Sequence, residues 1–185
     1  DTATEVMAYY PRQVEKTLYR YEKLCAESDE ATVRAKYDAE ELGILDEFLA
    51  HGRAVRAERQ RAEKAGEVPD FAPLVKSWGG VTLIYRKSIN DSPAYRQNHE
   101  EVNEALQEGI YIATGMNPEE AFADDFGALR AVRFSRGKGE ADIELPLRAL
   151  FVAAGTSPNI IYEQEHPGTF DLDGKFFRRY EPKDG

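Results

Sequence analysis

The hydrophobic period of this chain changes once, near Pro69, and that change governs what it can fold into. Before it, Val14, Leu18, Tyr21, Leu24 and Cys25 recur at spacings of three and four with Lys, Glu and Arg between them, the pattern of an amphipathic helix. Pro11 is expected to break or kink this run near its start. Ser28 or Asp29 is placed to cap a second helix leading through Tyr37, and Leu42, Ile44, Leu45, Phe48 and Leu49 form a third apolar cluster. Gly52 is expected to interrupt that pattern, and Arg53 to Lys64 is so charged that it must be largely solvated.

After Pro69 strong helix formers give way to β-branched and alternating runs. Phe71 to Trp78 predicts a short helix, Gly79-Gly80 a stop, and Val81 to Tyr85 a buried strand. Ser92-Pro93 occupies N-cap and N1 positions of a helix that reaches Gly109 as its C′ residue. Short strands are predicted over Ile110 to Ala113, Ala128 to Phe134, Ala141 to Leu145 and Leu147 to Ala153, with Arg136 to Gly139 as a hairpin loop. A strand, a helix, a strand and then a β-meander is the outline of half a nucleotide-binding domain. The fold class expected is α/β.

The totals narrow the function. The 185 residues are 42% hydrophobic and include ten Tyr and nine Phe, enough for a buried core, so a soluble globular protein is expected. A formal charge of −10 disfavours nucleic acid, whose backbone is bound chiefly by Lys and Arg. No apolar run approaches the roughly 18 to 20 residues a membrane helix needs, and no basic, apolar leader opens the chain, so no membrane partner is expected. One cysteine, Cys25, fits a reducing, cytoplasmic compartment and leaves no dithiol for redox work. His51, His99 and His166 lack the spacing of metal ligands, and no metal residues are assigned. Asp124-Asp125 before Gly127 reads most simply as a turn.

The strand from Val81 to Tyr85 ends in Arg86-Lys87. In a doubly wound sheet the end of the second strand meets the adenosine ribose, where an acid favours NAD and cations favour the 2′-phosphate of NADP. A solvated basic strand terminus is the alternative on these residues alone. The run from Val81 to Ser88, then Ser92-Pro93-Ala94, the acidic Glu100, Glu101 and Glu104, and Gln107-Glu108-Gly109-Ile110 resembles the second strand and helix of glutamate synthase small subunits. Dihydropyrimidine dehydrogenase carries a related Arg-Lys version. Ala149 to Asn159, with Gly155, Pro158 and Asn159, is similar to the strand and turn by which such two-dinucleotide flavoproteins return to their FAD domain. Asp1 to Glu5 resembles the tail of their pyrophosphate turn, whose glycines would fall before residue 1.

That resemblance implies a truncated Rossmann-like nucleotide-binding domain, three-layered with a β-meander, carrying an α-helical insertion and beginning inside the fold. Residues 1–11 would end the first Rossmann helix, 12–78 form the insertion, 79–159 complete the NADP-binding domain, and 160–185 form a return linker. The activity implied is that of an FAD-dependent pyridine nucleotide-disulfide oxidoreductase, passing hydride from NADP(H) to FAD and electrons onward. Arg86, Lys87, Asp1, Thr2, Ala154 and Gly155 would contact cofactor, and no catalytic side chain is required. Implied partners are the FAD domain of its own parent chain and an electron-accepting subunit or iron–sulfur domain. A different reading is a helical protein-protein interaction module attached to a degenerate lobe that binds no nucleotide.

Overall fold

The computed structural model describes residues 2–92, 95–96, 98–153 and 158–181. It is mixed α and β and divides into two units, Asp1–Leu150 and Phe151–Gly185. No helix among the described residues is long and apolar enough to cross a membrane.

The helix-period region of the first unit forms two long packed helices, α1 (Thr2–Glu27) and α3 (Ala39–Ala65), joined through the short α2 (Glu30–Arg34). Asp29 caps α2 by accepting from the Thr32 amide at 2.9 Å. Asp38 and Glu41 form a reciprocal capping box at the start of α3, which ends at Gly66 with φ 68°. Leu18 and Tyr21 of α1, Val33 of α2, and Leu45 and Leu49 of α3 make one core cluster, flanked by Cys25 and Leu42. Arg56–Glu22 and Arg59–Glu15, each at 2.8 Å, tie the two helices at their solvated edge.

Two breaks expected in this region are absent. α1 runs through Pro11 without interruption, because its two halves are each anchored: Met7 in one cluster, Leu18 in another, with Pro11 itself buried. Packing there offsets the lost backbone bond. Gly52 lies inside α3 rather than ending it, since a Cβ at this position would stand 2.5 Å from the Val14 carbonyl oxygen and 2.9 Å from Leu18 Cβ. The glycine is a point of close helix approach. Arg53 to Lys64 is mostly exposed as expected, with Val55 and Ala62 turned into the interior.

Beyond α4 (Ala72–Ser77) the chain enters β1 (Thr82–Tyr85), then a single 3-10 turn (Ile89–Asp91), α5 (His99–Gln107) and β2 (Tyr111–Thr114). The helix expected from Ala94 is interrupted: Tyr95 and Arg96 are helical, and Asn98 at φ −152° leaves the helical region before α5 begins. Pro93 and Ala94 lie outside the described residues. Gly109, at φ 93°, closes α5 as predicted, with the Ile110 and Gly109 amides donating to Ala105 and Leu106. β1 and β2 pair in parallel and form a two-stranded sheet. Val81 to Tyr85 is therefore not the buried strand expected: Ile84 and Tyr85 are half-buried, while Thr82 and Leu83 are exposed.

The meander follows as β3 (Asn117–Ala123), β4 (Leu129–Ser135) and β5 (Ile143–Pro146), an antiparallel sheet in that order. Asp124 closes the β3–β4 turn by accepting from the Phe126 and Ala128 amides. Met116, Val132 and Phe134 form the buried centre, with Ile84 of β1 and Ala113 of β2 packed against it. Leu147 to Ala153 forms no strand. The Leu147 amide donates to Arg130, after which the apolar run finds no neighbouring ladder, and an apolar pattern cannot supply one.

In the second unit, α6 (Ile161–Glu165) is followed by a two-residue antiparallel pair, β6 (Leu172–Asp173) and β7 (Phe176–Phe177). Glu163 accepts from the Gly168 and Phe170 amides, which holds its carboxyl below the usual range.

The two glycines of α3 should respond in opposite directions to alanine. Gly52→Ala is expected to destabilise the chain by about 1–3 kcal/mol through overpacking against α1. Gly43→Ala, with open space around its Cβ position, should stabilise it by about 0.5–1 kcal/mol. Urea unfolding of both variants measures the contrast.

Candidate functional site

The register of the parallel pair puts Tyr85 opposite Thr114, so β1 and β2 end side by side. Arg86 and Lys87 follow β1 in an exposed bend, and Gly115 follows β2. The Gly115 amide donates to the Lys87 carbonyl at 3.2 Å, and the Met116 amide to Tyr85 at 3.4 Å, so the two exits are joined by backbone. The Tyr85 hydroxyl donates to the Asp91 carbonyl at 3.2 Å and steadies the turn beyond.

The backbone is thus held at Tyr85 and Lys87, on either side of Arg86, and neither the Arg86 nor the Lys87 side chain enters an ion pair among the described residues. Beside them Gly115, at φ 71°, would meet nothing within 4 Å were a Cβ added. Two cations without ion-pair partners among the described residues thus stand next to open space at the ends of parallel strands. The Arg fork can donate twice to a phosphate, and Lys adds a point charge.

Thr2 is exposed in the first turn of α1, and no described contact joins it to Arg86 or Lys87. Asp1, Ala154 and Gly155 lie outside the described residues. Gly115 carries no motif that singles it out in the sequence; its place follows only from the strand register.

A second constellation joins α1, α3 and α4. Tyr10 and His51 share a hydrogen bond between the phenol and Nδ1 at 2.7 Å, and the His51 ring stacks on Trp78 at 3.9 Å between centroids, 18° from parallel. Tyr10 also meets Trp78 and Phe48 edge-on. Burial lowers the His51 pKa, opposed by the charge of Glu47. Burial also raises the Tyr10 pKa, assisted by Glu47 and opposed by Arg148. Glu47 and Arg148 are themselves paired at 2.8 Å. The three aromatic residues come from positions 10, 51 and 78, so sequence spacing had no means of grouping them. Their rings fill one another's contact surface, and the cluster acts as a rivet between helices.

No family model matches the chain. An uncharacterized protein of Rickettsia prowazekii (strain Madrid E) is 32% identical over 136 residues, which is 73% of this chain. The chain spans 17% of that protein's length.

Acid should weaken the fold through His51. Its folded pKa lies below the ordinary 6.5, so on acidification the unfolded chain takes up the proton first. Stability is then fully present above the unfolded value and falls as pH drops through and below it. Denaturant midpoints are expected to decline between about pH 7 and 5.5, and His51→Gln should flatten that slope. An unchanged slope would assign the titration elsewhere.

Proposed function

We propose that this chain is the nicotinamide-nucleotide-binding part of an FAD-dependent oxidoreductase, similar to the corresponding lobe of glutamate synthase small subunits. The observation that carries the reading is the parallel β1–α5–β2 crossover, with Arg86 and Lys87, free of ion pairs among the described residues, following β1 and an antiparallel meander following β2. In a Rossmann-like lobe, ligands lie beyond the carboxyl ends of parallel strands, and this basic pair would occupy the place of the adenosine 2′-phosphate.

The residues present suit that group. Arg86 and Lys87 would hold the 2′-phosphate, and Gly115 would let the ligand approach the backbone without a side chain in the way. In this reading the helical pair of α1 and α3 is an insertion, with only the start of α1 belonging to the nucleotide lobe. Bound NADPH would supply hydride to an FAD held by another part of the protein. This chain's contribution would be to position the nucleotide and to discriminate by charge.

A second reading, a helical interaction module on a lobe that binds no nucleotide, draws on the exposed Tyr9, Tyr19, Leu24, Tyr37 and Ile44 of the helical region. The two are separated by cofactor preference. NADPH and NADH binding should be compared in wild type and Arg86→Ala/Lys87→Ala, in the full-length protein. Loss of both phosphate contacts should weaken NADPH by about tenfold to several hundredfold and leave NADH nearly unchanged. Equal losses for both nucleotides, or no binding of either, would remove the nucleotide reading.

A further inference from the structure

The helical pair carries a second basic locus, independent of the strand ends. Arg12, Lys16 and Tyr19 follow one another on α1 at spacings of four and three, which places them on one face of the helix. With Glu15 and with Arg56 of α3 they line a cleft of about 390 Å³. The depression is broad and open to solvent.

The charges in the cleft do not cancel. Glu15 receives Arg59 Nε on its two oxygens, at 3.0 and 2.8 Å, and Arg56 donates through both terminal nitrogens to Glu22 at 2.8 Å. Each of those pairs neutralises itself. Arg12 and Lys16 are exposed and have no ion-pair partner among the described residues. The cleft therefore presents two free positive charges one helical turn apart, on a chain whose formal charge is −10. Tyr19 stands at its side, 65% exposed, with its ring open to contact.

We propose that this cleft binds a small oxyanion of two or more negative charges, a phosphate ester or a dicarboxylate. Arg12 offers a planar fork of donors and Lys16 a mobile ammonium, so one anionic group can be gripped from two directions. The Arg56–Glu22 and Arg59–Glu15 pairs hold the walls, and the Tyr19 ring supports the body of the ligand. Charge complementarity chooses an anion.

The test is a two-dimensional NMR titration of the 185-residue chain at low ionic strength with pyrophosphate, and separately with succinate. Saturable shifts confined to Arg12, Lys16, Tyr19, Arg56 and their neighbours are expected with at least one probe, and the probe that saturates first assigns phosphate or carboxylate. Arg12→Gln and Lys16→Gln should each weaken that binding by about tenfold, because each removes a charge-assisted contact. Arg20→Gln, an equal change of charge on α1 outside the cleft, should leave it within about twofold. All three positions are exposed, and helix content by circular dichroism checks that each variant folds. Absence of saturable shifts with both probes would overturn the proposal. So would shifts confined to the strand ends, or equal weakening by all three substitutions, which would mark a diffuse charge effect.

Discussion

α1 and α3 can approach closely only because Gly52 has no side chain. With the Val14 carbonyl and Leu18 Cβ both within 3 Å of where a Cβ would stand, any larger residue separates the helices. That contact brings His51 to Tyr10, and it brings Arg56 and Arg59 to the carboxylates of Glu22 and Glu15. The surface pairs are individually weak because water screens them. They align helices that apolar packing at Val14, Leu18, Leu49 and Val55 has already brought together.

α1 also links the helical region to the strands. Met7 packs with Val75 and Ile110, with Trp78, Val81 and Ala105 at the border, while Leu18 belongs to the cluster shared with α2 and α3. One helix thus contributes to two cores, which explains why a proline in its first half does not divide it. The β1–β2 pair depends on its surroundings in a different way. Two parallel strands cannot cover both of their faces, and here the meander supplies an apolar neighbour through Val132, while Ala105 of α5 packs in the cluster with Val81 and Ile110 at the strands' entrances. The exposure of Leu83 and Tyr111 shows where that cover ends.

The proposed nucleotide edge and the helical cleft rest on the same physical condition, namely cations without carboxylates beside them. In an acidic chain several Arg side chains on the helices find a partner, as Arg34, Arg56, Arg59 and Arg61 do. Arg86 with Lys87 and Arg12 with Lys16 are adjacent pairs that do not among the described residues. Their difference lies in support. The first pair is rooted in a backbone turn at strand ends, and the second projects from a continuous helix beside an exposed aromatic ring.

The sequence by itself determined the elements whose causes are local. Period made α1, α2 and α3 legible as helices and Asp29 as a cap, although α2 stops at Arg34, short of the expected Tyr37; the turn chemistry of Gly109 and of Arg136 to Gly139 set the end of α5 and the β4–β5 loop; the switch to strand-type patterning marked β1 and β4. The basic pair after β1 was legible for the same reason, because it needs only its place in the chain. Tertiary structure decided everything that needs a partner from afar. Gly52 reads as a breaker until α1 lies against it, Pro11 reads as a break until packing on both sides holds the helix, and Leu147 to Ala153 reads as a strand until no ladder is found for it. The stacking of His51 on Trp78 and the joining of Gly115 to Lys87 belong with these, since a contact between distant residues exists only after the chain has closed the loop between them.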